Sequence, residues 1–468
     1  MDYIDRFKQL KYKFWILNLF QMIEIFAYQS VIVQMSIYIA QKDAPGGLQW
    51  DHTDKGLIFF LWAIVQRLTP VIFGPISDKK GYKYTILFSY IFIIIGYWLL
   101  ATQREYVMFT LGAVVLGFGS GIFRPSLQSG VSESLGEGNH KFGWGVYTML
   151  FNLAVLFAIP FSKYITQFGW EYLFLASALV TLINFFLTLM LLDDIDYKTP
   201  TEDTQIMSTL KSLMQPKVIY FIFIMSGFTI IYMQFYETLP NFIYDWVDTS
   251  SIVTQLALPE YLTLKTPLGN MISYEWLYGI NTLLVVFLVS FFTWFLRKLK
   301  TSSSLTIGIA IASIGLMICG NSNTGYIFIL GIIVYTVGEI ITNPNFLNYL
   351  DEISSKYEKA KYLSFLNISF AIGLGGGSIL GGELYNRFGD KAALASKYLQ
   401  AHYGIDSPSG GSLEYMRESL ELTDIQIRDL LWSQFHPYAF WYVFLGIGVL
   451  AVIGMLLYKR KYDAVISK

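Results

Sequence analysis

The sequence predicts an all-α membrane protein of about twelve transmembrane helices arranged in two six-helix bundles. Composition is the first observation behind this expectation. The chain has 468 residues, of which 54% are hydrophobic and only 14% charged, with a mean hydropathy of +0.47; soluble domains carry about a quarter charged residues. Apolar runs are the second. They fall at approximately 14–40, 56–75, 84–102, 106–128, 143–165, 170–192, 218–240, 274–296, 303–320, 325–347, 361–386 and 437–458, most of them near the ~20 residues that cross a bilayer. The third is the placement of Lys and Arg, which collect in cytoplasmic loops. With the N-terminus inside, the inner loops hold Lys8, Lys11, Lys79, Lys80, Lys83, Arg297, Lys298, Lys359 and Lys459 among others, whereas the short outer loops hold only Lys42, Lys55, Arg104, Lys163 and Lys265. An even number of spans returns both termini to the cytoplasm, in a plasma or bacterial inner membrane. A net charge of -1 gives no case for nucleic-acid binding.

In chain order, Met1 to Lys13 reads as a polar, basic tail feeding a first helix too long for a cleaved signal peptide. The runs at 56–75 and 84–102 are joined by Gly74-Pro-Ile-Ser-Asp-Lys-Lys-Gly-Tyr-Lys83. Gly and Pro suit a tight reversal at a membrane face, and Asp78 stands out as an acid among bases. The pattern Gly-x-x-x-Asp-Lys-x-Gly-x-Lys resembles the loop between helices 2 and 3 of the major facilitator superfamily. There the Asp sits at a helix end and locks the two halves in one conformation. The resemblance implies a gating role for Gly74, Asp78, Gly81 and Lys83. Residues 193–217 are polar and lack a spanning run, which divides the chain into bundles at 1–192 and 218–468 joined by a cytoplasmic linker. Two outer segments exceed what a turn needs. Residues 241–272 look irregular, while 387–436 contains Thr423-Asp-Ile-Gln426, a capping box followed by Ile427, Leu430 and Leu431 at helical spacing.

Two glycine clusters, Gly117-Phe-Gly-Ser-Gly121 and Gly373-Leu-Gly-Gly-Gly377, superficially resemble phosphate-binding loops. Those need a preceding strand, and both clusters lie inside spans, where small residues serve close helix packing. The lone cysteine, Cys319, excludes an internal disulfide and fits a packing role. His52, His140, His402 and His436 fall in predicted loops without metal-ligand spacing. No cofactor, metal site or catalytic residue is expected.

The chemistry lies in ionisable residues within spans, since charge at the bilayer centre costs several kcal/mol unless it faces a cavity and pairs. These are Glu24, Arg67, Arg124, Glu237 and Glu339, drawn from both halves. At these residues the chain resembles the proton-dependent oligopeptide transporter family, a branch of the superfamily. Gln21-Met-Ile-Glu24-Ile-Phe26-Ala-Tyr28 is similar to its Glu-x-x-Glu-Arg-Phe-x-Tyr motif. Gly121-Ile-Phe-Arg124-Pro125 stands where the family has Gly-x-x-Lys-Pro, and Asn152-Leu-Ala where it has Asn-Leu-Gly. Phe235-Tyr-Glu237, Ile280-Asn281, Gly338-Glu339 and Asn343-Pro344 match further pieces. The resemblance implies Tyr28, Arg67, Arg124, Asn152, Glu237 and Asn281 as substrate-binding residues. Glu24, Glu237 and Glu339 are the corresponding candidates for proton coupling. Departures matter too. Gln21 and Ile25 replace a motif acid and base, Ile32 stands near an expected Arg, and Arg124 cannot release a proton as the family's Lys can. The planar fork of Arg67 or Arg124 still suits a carboxylate.

These features predict a monomeric secondary active transporter that works by alternating access. It would carry a small peptide, zwitterion or organic acid by proton-coupled symport. One alternative is a major facilitator exporter of drugs or metabolites, against which Phe157-Ala-Ile-Pro160 lacks the Gly-x-x-x-Gly-Pro common in such exporters. Another is a membrane sensor of the same fold, though no segment is long enough for a soluble signalling domain.

Overall fold

The computed structural model describes residues 10–135, 140–192, 214–266, 268–295, 299–353, 359–406, 408 and 411–466. Long helices occupy each expected span: α1 (Tyr12–Ala40), α2 (His52–Lys80), α3 (Tyr82–Thr102), α4 (Tyr106–Ser134), α5 (His140–Thr166) and α6 (Trp170–Leu191), then α7 (Pro216–Glu237). Short helices α8 (Leu239–Trp246) and α9 (Ser250–Gln255) lead into a hairpin of β1 (Thr263–Thr266) and β2 (Gly269–Ile272), paired in antiparallel register Thr263↔Ile272. There follow α10 (Tyr274–Phe295), α11 (Thr301–Gly320), α12 (Gly325–Ile353), α13 (Lys359–Leu384), α14 (Lys391–Tyr403), α15 (Ser412–Glu418), α16 (Asp424–Phe435) and α17 (Trp441–Ile466). Among the described residues, ten helical stretches are long and apolar enough to cross a membrane. The two remaining long helices, α2 and α10, coincide with the expected spans at 56–75 and 274–296. The segment 241–272, expected to be irregular, is thus largely folded.

The chain forms two compact units, one of Met1–Met35 with Ile58–Gln215 and one of Ser36–Leu57 with Pro216–Lys468. The end of α1 and the start of α2 therefore belong with the second unit. In the first unit α3 packs on α4 and α6, and α5 on α6. In the second, α11 packs on α12 and α17, α7 on α13 and α17, and α10 on α12.

Both glycine clusters lie within helices, α4 and α13, and serve close contact. A Cβ at Gly119 would stand 2.7 Å from Ile93 Cγ1 and 2.8 Å from Ile93 N on α3, so a side chain there would force the helix backbones apart. Gly81, between α2 and α3, has φ +87°, a conformation that favours glycine. Its carbonyl accepts a hydrogen bond from Thr85 Oγ1 at 2.9 Å, which fastens the first turn of α3.

The segment 387–436 is helical over most of its described length. Asp390 caps α14 through its side chain, which accepts from Ala392 N at 2.9 Å. The expected capping box is formed at α16, with Thr423 accepting from Gln426 N and Gln426 Oε1 accepting from Thr423 N. Arg428 on α16 is buried and donates to Asp248 Oδ2 at 3.0 Å, beside the Asp429 carboxylate. Trp432 packs against Phe242 and Trp246 of α8. These contacts fasten α16 to the rest of the second unit.

Replacing Gly119 by Ala should lower stability by about 1–3 kcal/mol, the usual cost of overpacking. Gly145→Ala in α5, where an added Cβ meets nothing within 4 Å, should be neutral or stabilising by up to ~1 kcal/mol. Thermal denaturation of both variants in detergent reads the contrast, and equal effects would contradict the close α3–α4 approach.

Candidate functional site

Three polar clusters are built on these helices, one in the first unit and two in the second. Spacing alone aligns Glu24 and Tyr28, four residues apart on one face of α1. Both are buried. Gln66 Nε2 on α2 donates to the Tyr28 hydroxyl at 2.9 Å, and Trp62 meets the Tyr28 ring edge-on at 5.8 Å between centroids. Arg124, just before Pro125 inside α4, places its guanidinium carbon 5.0 Å from the centre of the same ring. This is a cation held on an aromatic face. Glu24 interacts electrostatically with Arg124, yet no direct ion pair joins them, and neither Glu24 carboxylate oxygen has a hydrogen-bond partner among the described residues. Arg67 lies within electrostatic range of Tyr28. Asn152 instead hydrogen-bonds back along α5, to Thr148 O at 2.9 Å. Glu24, Tyr28 and Arg124 are thus brought together, with Arg67 close by, and Asn152 turns to its own helix.

In the second unit Glu339 of α12 is held by neutral donors. Asn281 Nδ2 reaches its Oε2 at 2.8 Å, while the Tyr236 hydroxyl and Asn343 Nδ2 reach its Oε1 at 3.2 and 3.4 Å. Asn281 also donates to Thr336 Oγ1 at 3.0 Å. Aromatic rings close around this cluster, with Phe235 stacked on Tyr335 at 4.3 Å and Tyr278 beside Tyr236.

The remaining cluster was not anticipated. Lys55, expected in an outer loop, sits in the first turn of α2 and is only 2% exposed. Its ammonium donates to the Glu237 carbonyl at 2.8 Å and to Asn241 Oδ1 at 2.7 Å. It also interacts electrostatically with Glu237, Asp245 and Asp390. Asn241 Nδ2 donates to Gln41 Oε1 at 3.1 Å. Asp245 on α8 accepts from Gln41 Nε2 and from the Tyr385 hydroxyl, each at 2.6 Å. His52, at the start of α2, is buried 3.8 Å from the Asp390 carboxylate and against the Tyr385 ring. His140 and His402 likewise fall in helices, at the start of α5 and within α14, so three of the four histidines leave the predicted loops. Among the described residues no group of side chains is arranged to hold a metal ion. The signal for this cluster was present in the sequence: His52, Lys55, Phe59 and Trp62 recur at helical spacing, and the apolar run drawn from 56 cut off its first turn.

Of the loop residues singled out for gating, Gly81 and Lys83 are described, whereas the surroundings of Gly74 and of the Asp78 side chain lie outside what is described.

Residues 17–378 match the Major Facilitator Superfamily. The chain belongs to that superfamily. This major facilitator is 21% identical over 349 residues to an uncharacterized MFS-type transporter, YttB, of Bacillus subtilis (strain 168), covering 74% of this chain and 82% of that one. It is 21% identical over 392 residues to the multidrug resistance protein MdtH of Blochmanniella floridana, covering 82% and 90%. Among solved structures, a POT family transporter in complex with 5-aminolevulinic acid superposes with a TM-score of 0.70 at 15% identity, over 98% of this chain and 99% of that one. The nucleoside transporter NupG superposes with a TM-score of 0.68 at 14% identity, over 96% and 99%. The fold is the all-α major facilitator fold of about twelve helices, and the protein is an integral membrane transporter of small molecules. Family and fold are those of transporters and not of enzymes.

Asp245, outside the spans, supplies a pH dependence. Burial pushes its carboxyl up from 3.8 to about 7; the Asp390 charge adds to this, and hydrogen bonds from Tyr385 and Gln41 and the charge of Lys391 oppose it. A carboxyl raised on folding stabilises most where it is protonated in both states, and that contribution is lost as pH rises through the folded value. The detergent-solubilised protein should therefore lose stability between about pH 4 and 7, by up to ~1.4 kcal/mol per unit. Asp245→Asn should flatten the slope in a melting series, and an unchanged slope would assign it to another group.

Proposed function

We propose that this major facilitator is a proton-coupled symporter of small zwitterions or organic acids, short peptides included. The observation that carries the reading is Glu24, buried without a hydrogen bond to its carboxylate among the described residues and within electrostatic range of Arg124. Because Arg124 does not release its proton, Glu24 keeps a positive neighbour until a substrate carboxylate takes up the guanidinium. The acid then has lost the interaction that favours its charged form and takes up a proton. Substrate and proton are in this way bound together. Tyr28 holds Arg124 over its ring and Arg67 adds a second positive charge. Glu237 is suited to a substrate's amino group, and Asn281 orients Glu339, the reserve candidate for the proton. Support comes from the likeness to a POT family transporter in complex with 5-aminolevulinic acid, a small zwitterion. The same reading has a monomer in a plasma membrane with cytoplasmic termini, and the loop from Gly74 through Asp78 to Lys83 as the conformational lock.

A second reading, export of drugs or metabolites, is favoured by the relatives that are multidrug resistance proteins. Direction of flux separates the two. Proteoliposomes with an inward proton gradient accumulate substrate if the protein is a symporter and expel it if the protein is an antiporter.

A thermal-shift screen against amino acids, dipeptides and organic acids supplies the substrate, since a ligand at a hundred times its Kd stabilises by about 2.7 kcal/mol. Glu24→Gln should then abolish accumulation driven by a pH gradient while leaving substrate exchange intact. Accumulation that survives this change would move the coupling acid to Glu237 or Glu339. Arg124→Gln should weaken binding of a carboxylate substrate by about 1.5–3 kcal/mol, the worth of a charge-assisted hydrogen bond. Unchanged affinity in a binding titration would remove Arg124 from the site.

A further inference from the structure

The second unit holds a cavity of about 680 Å3 that the transport reading does not use. It lies along α7, α13 and α17, with walls that include Phe223, Ile230, Ile372, Leu450 and Leu457. Its depth comes from small residues. A Cβ at Gly227 on α7 would stand 3.2 Å from Ala451 Cβ on α17, so the two helices meet there almost backbone to backbone and the larger side chains on either side form a trough. Phe223, Leu450 and Leu457 are well exposed, as fits a face turned to lipid. From Ile230 to Tyr220 the trough covers eleven residues of α7, about 15 Å of helix. That is roughly half of the ~30 Å hydrocarbon core, the depth of one leaflet.

The end of the trough changes character. Lys461 Nζ lies 5.7 Å from the centre of the Tyr220 ring and 5.3 Å from that of Tyr462, and all three side chains line the cavity. No ion pair engages Lys461 among the described residues. Its neighbour Lys459 is committed to Ser303 Oγ at 2.6 Å, and Arg460 is exposed beside it. α7 begins at Pro216, one turn from Tyr220, so its N-terminal amides add positive potential at the same end. An apolar trough one leaflet deep ends in a cation seated between two aromatic rings, where a lipid headgroup lies. Basic pockets between transmembrane helices suit anionic headgroups.

We propose that this trough is a binding site for one anionic glycerophospholipid, an acyl chain lying between α7 and α17 and the phosphate meeting Lys461. A neutral phospholipid fills the trough equally well but carries its own cation, which repels the ammonium.

Native mass spectrometry of the full-length protein tests this, with phosphatidylglycerol and phosphatidylcholine added in turn. The wild type should retain one phosphatidylglycerol at least tenfold more readily than phosphatidylcholine. Lys461→Gln should reduce that preference to near parity. Leu450→Trp, which fills the trough from an exposed wall position, should lower retention of both lipids. Circular dichroism shows that each variant is folded. Equal retention of the two lipids by the wild type, or an undiminished preference in Lys461→Gln, would overturn the proposal. So would displacement of phosphatidylglycerol by inorganic phosphate, which would make this a site for a free anion. A lipid-free dimer would overturn it by showing that a second copy covers the trough.

Discussion

An ionisable group carried into a bilayer must find its partners within the protein, because the hydrocarbon offers none. The second unit meets that constraint in two ways. Glu339 is surrounded by neutral donors, Asn281, Tyr236 and Asn343, which solvate the acid without fixing its charge. Lys55 is surrounded by acceptors, the Glu237 carbonyl and Asn241 Oδ1, with carboxylates further out. In the first unit Glu24, without a hydrogen bond to its carboxylate among the described residues, has the field of Arg124. A group held by three hydrogen bonds resists change, whereas one held through space responds to whatever takes its partner. Glu24 differs in this from Glu339, while Glu237 stands between them, one of its carboxylate oxygens also lacking a hydrogen-bond partner among the described residues.

Hydropathy located the spans because a bilayer sets the length of apolar chain that crosses it. It did not locate their ends. α4 runs on to Ser134 and α12 to Ile353, six residues past each apolar run, because backbone hydrogen bonding continues into the polar layer where hydropathy falls. The same effect concealed Lys55. A cation one turn inside a helix looks like the last residue of a loop until the helix is extended by that turn. The capping box at Thr423 was legible because its two hydrogen bonds join residues three apart. The bonds from Gln41 and Tyr385 to Asp245 were not, because they join residues 204 and 140 positions apart. Glu24, Tyr28 and Arg124 were legible one by one through a family resemblance, but the seat of Arg124 over Tyr28 required the structure.

Identity of about 15% with solved transporters over nearly the whole chain shows how little side-chain chemistry this fold demands. What it does demand is steric. Gly119 against Ile93, like Gly373 against Thr229, permits approaches that no larger residue allows. Positions that line a polar cluster carry no such restriction, and there a Lys can become an Arg without altering the helix that bears it.

That freedom has a chemical consequence at Arg124. A lysine beside a glutamate forms a pair in which either member can hold or release a proton. Arginine removes one of the two options, since it stays charged throughout. In a pair of this kind, proton traffic falls to the acid alone, and the base acts by being present or occupied. The ring of Tyr28 fits that division of labour. A cation–π contact worth about 0.5–2 kcal/mol holds the guanidinium in place more weakly than a carboxylate ligand would, which is the looseness that the proposed symport mechanism requires of Arg124.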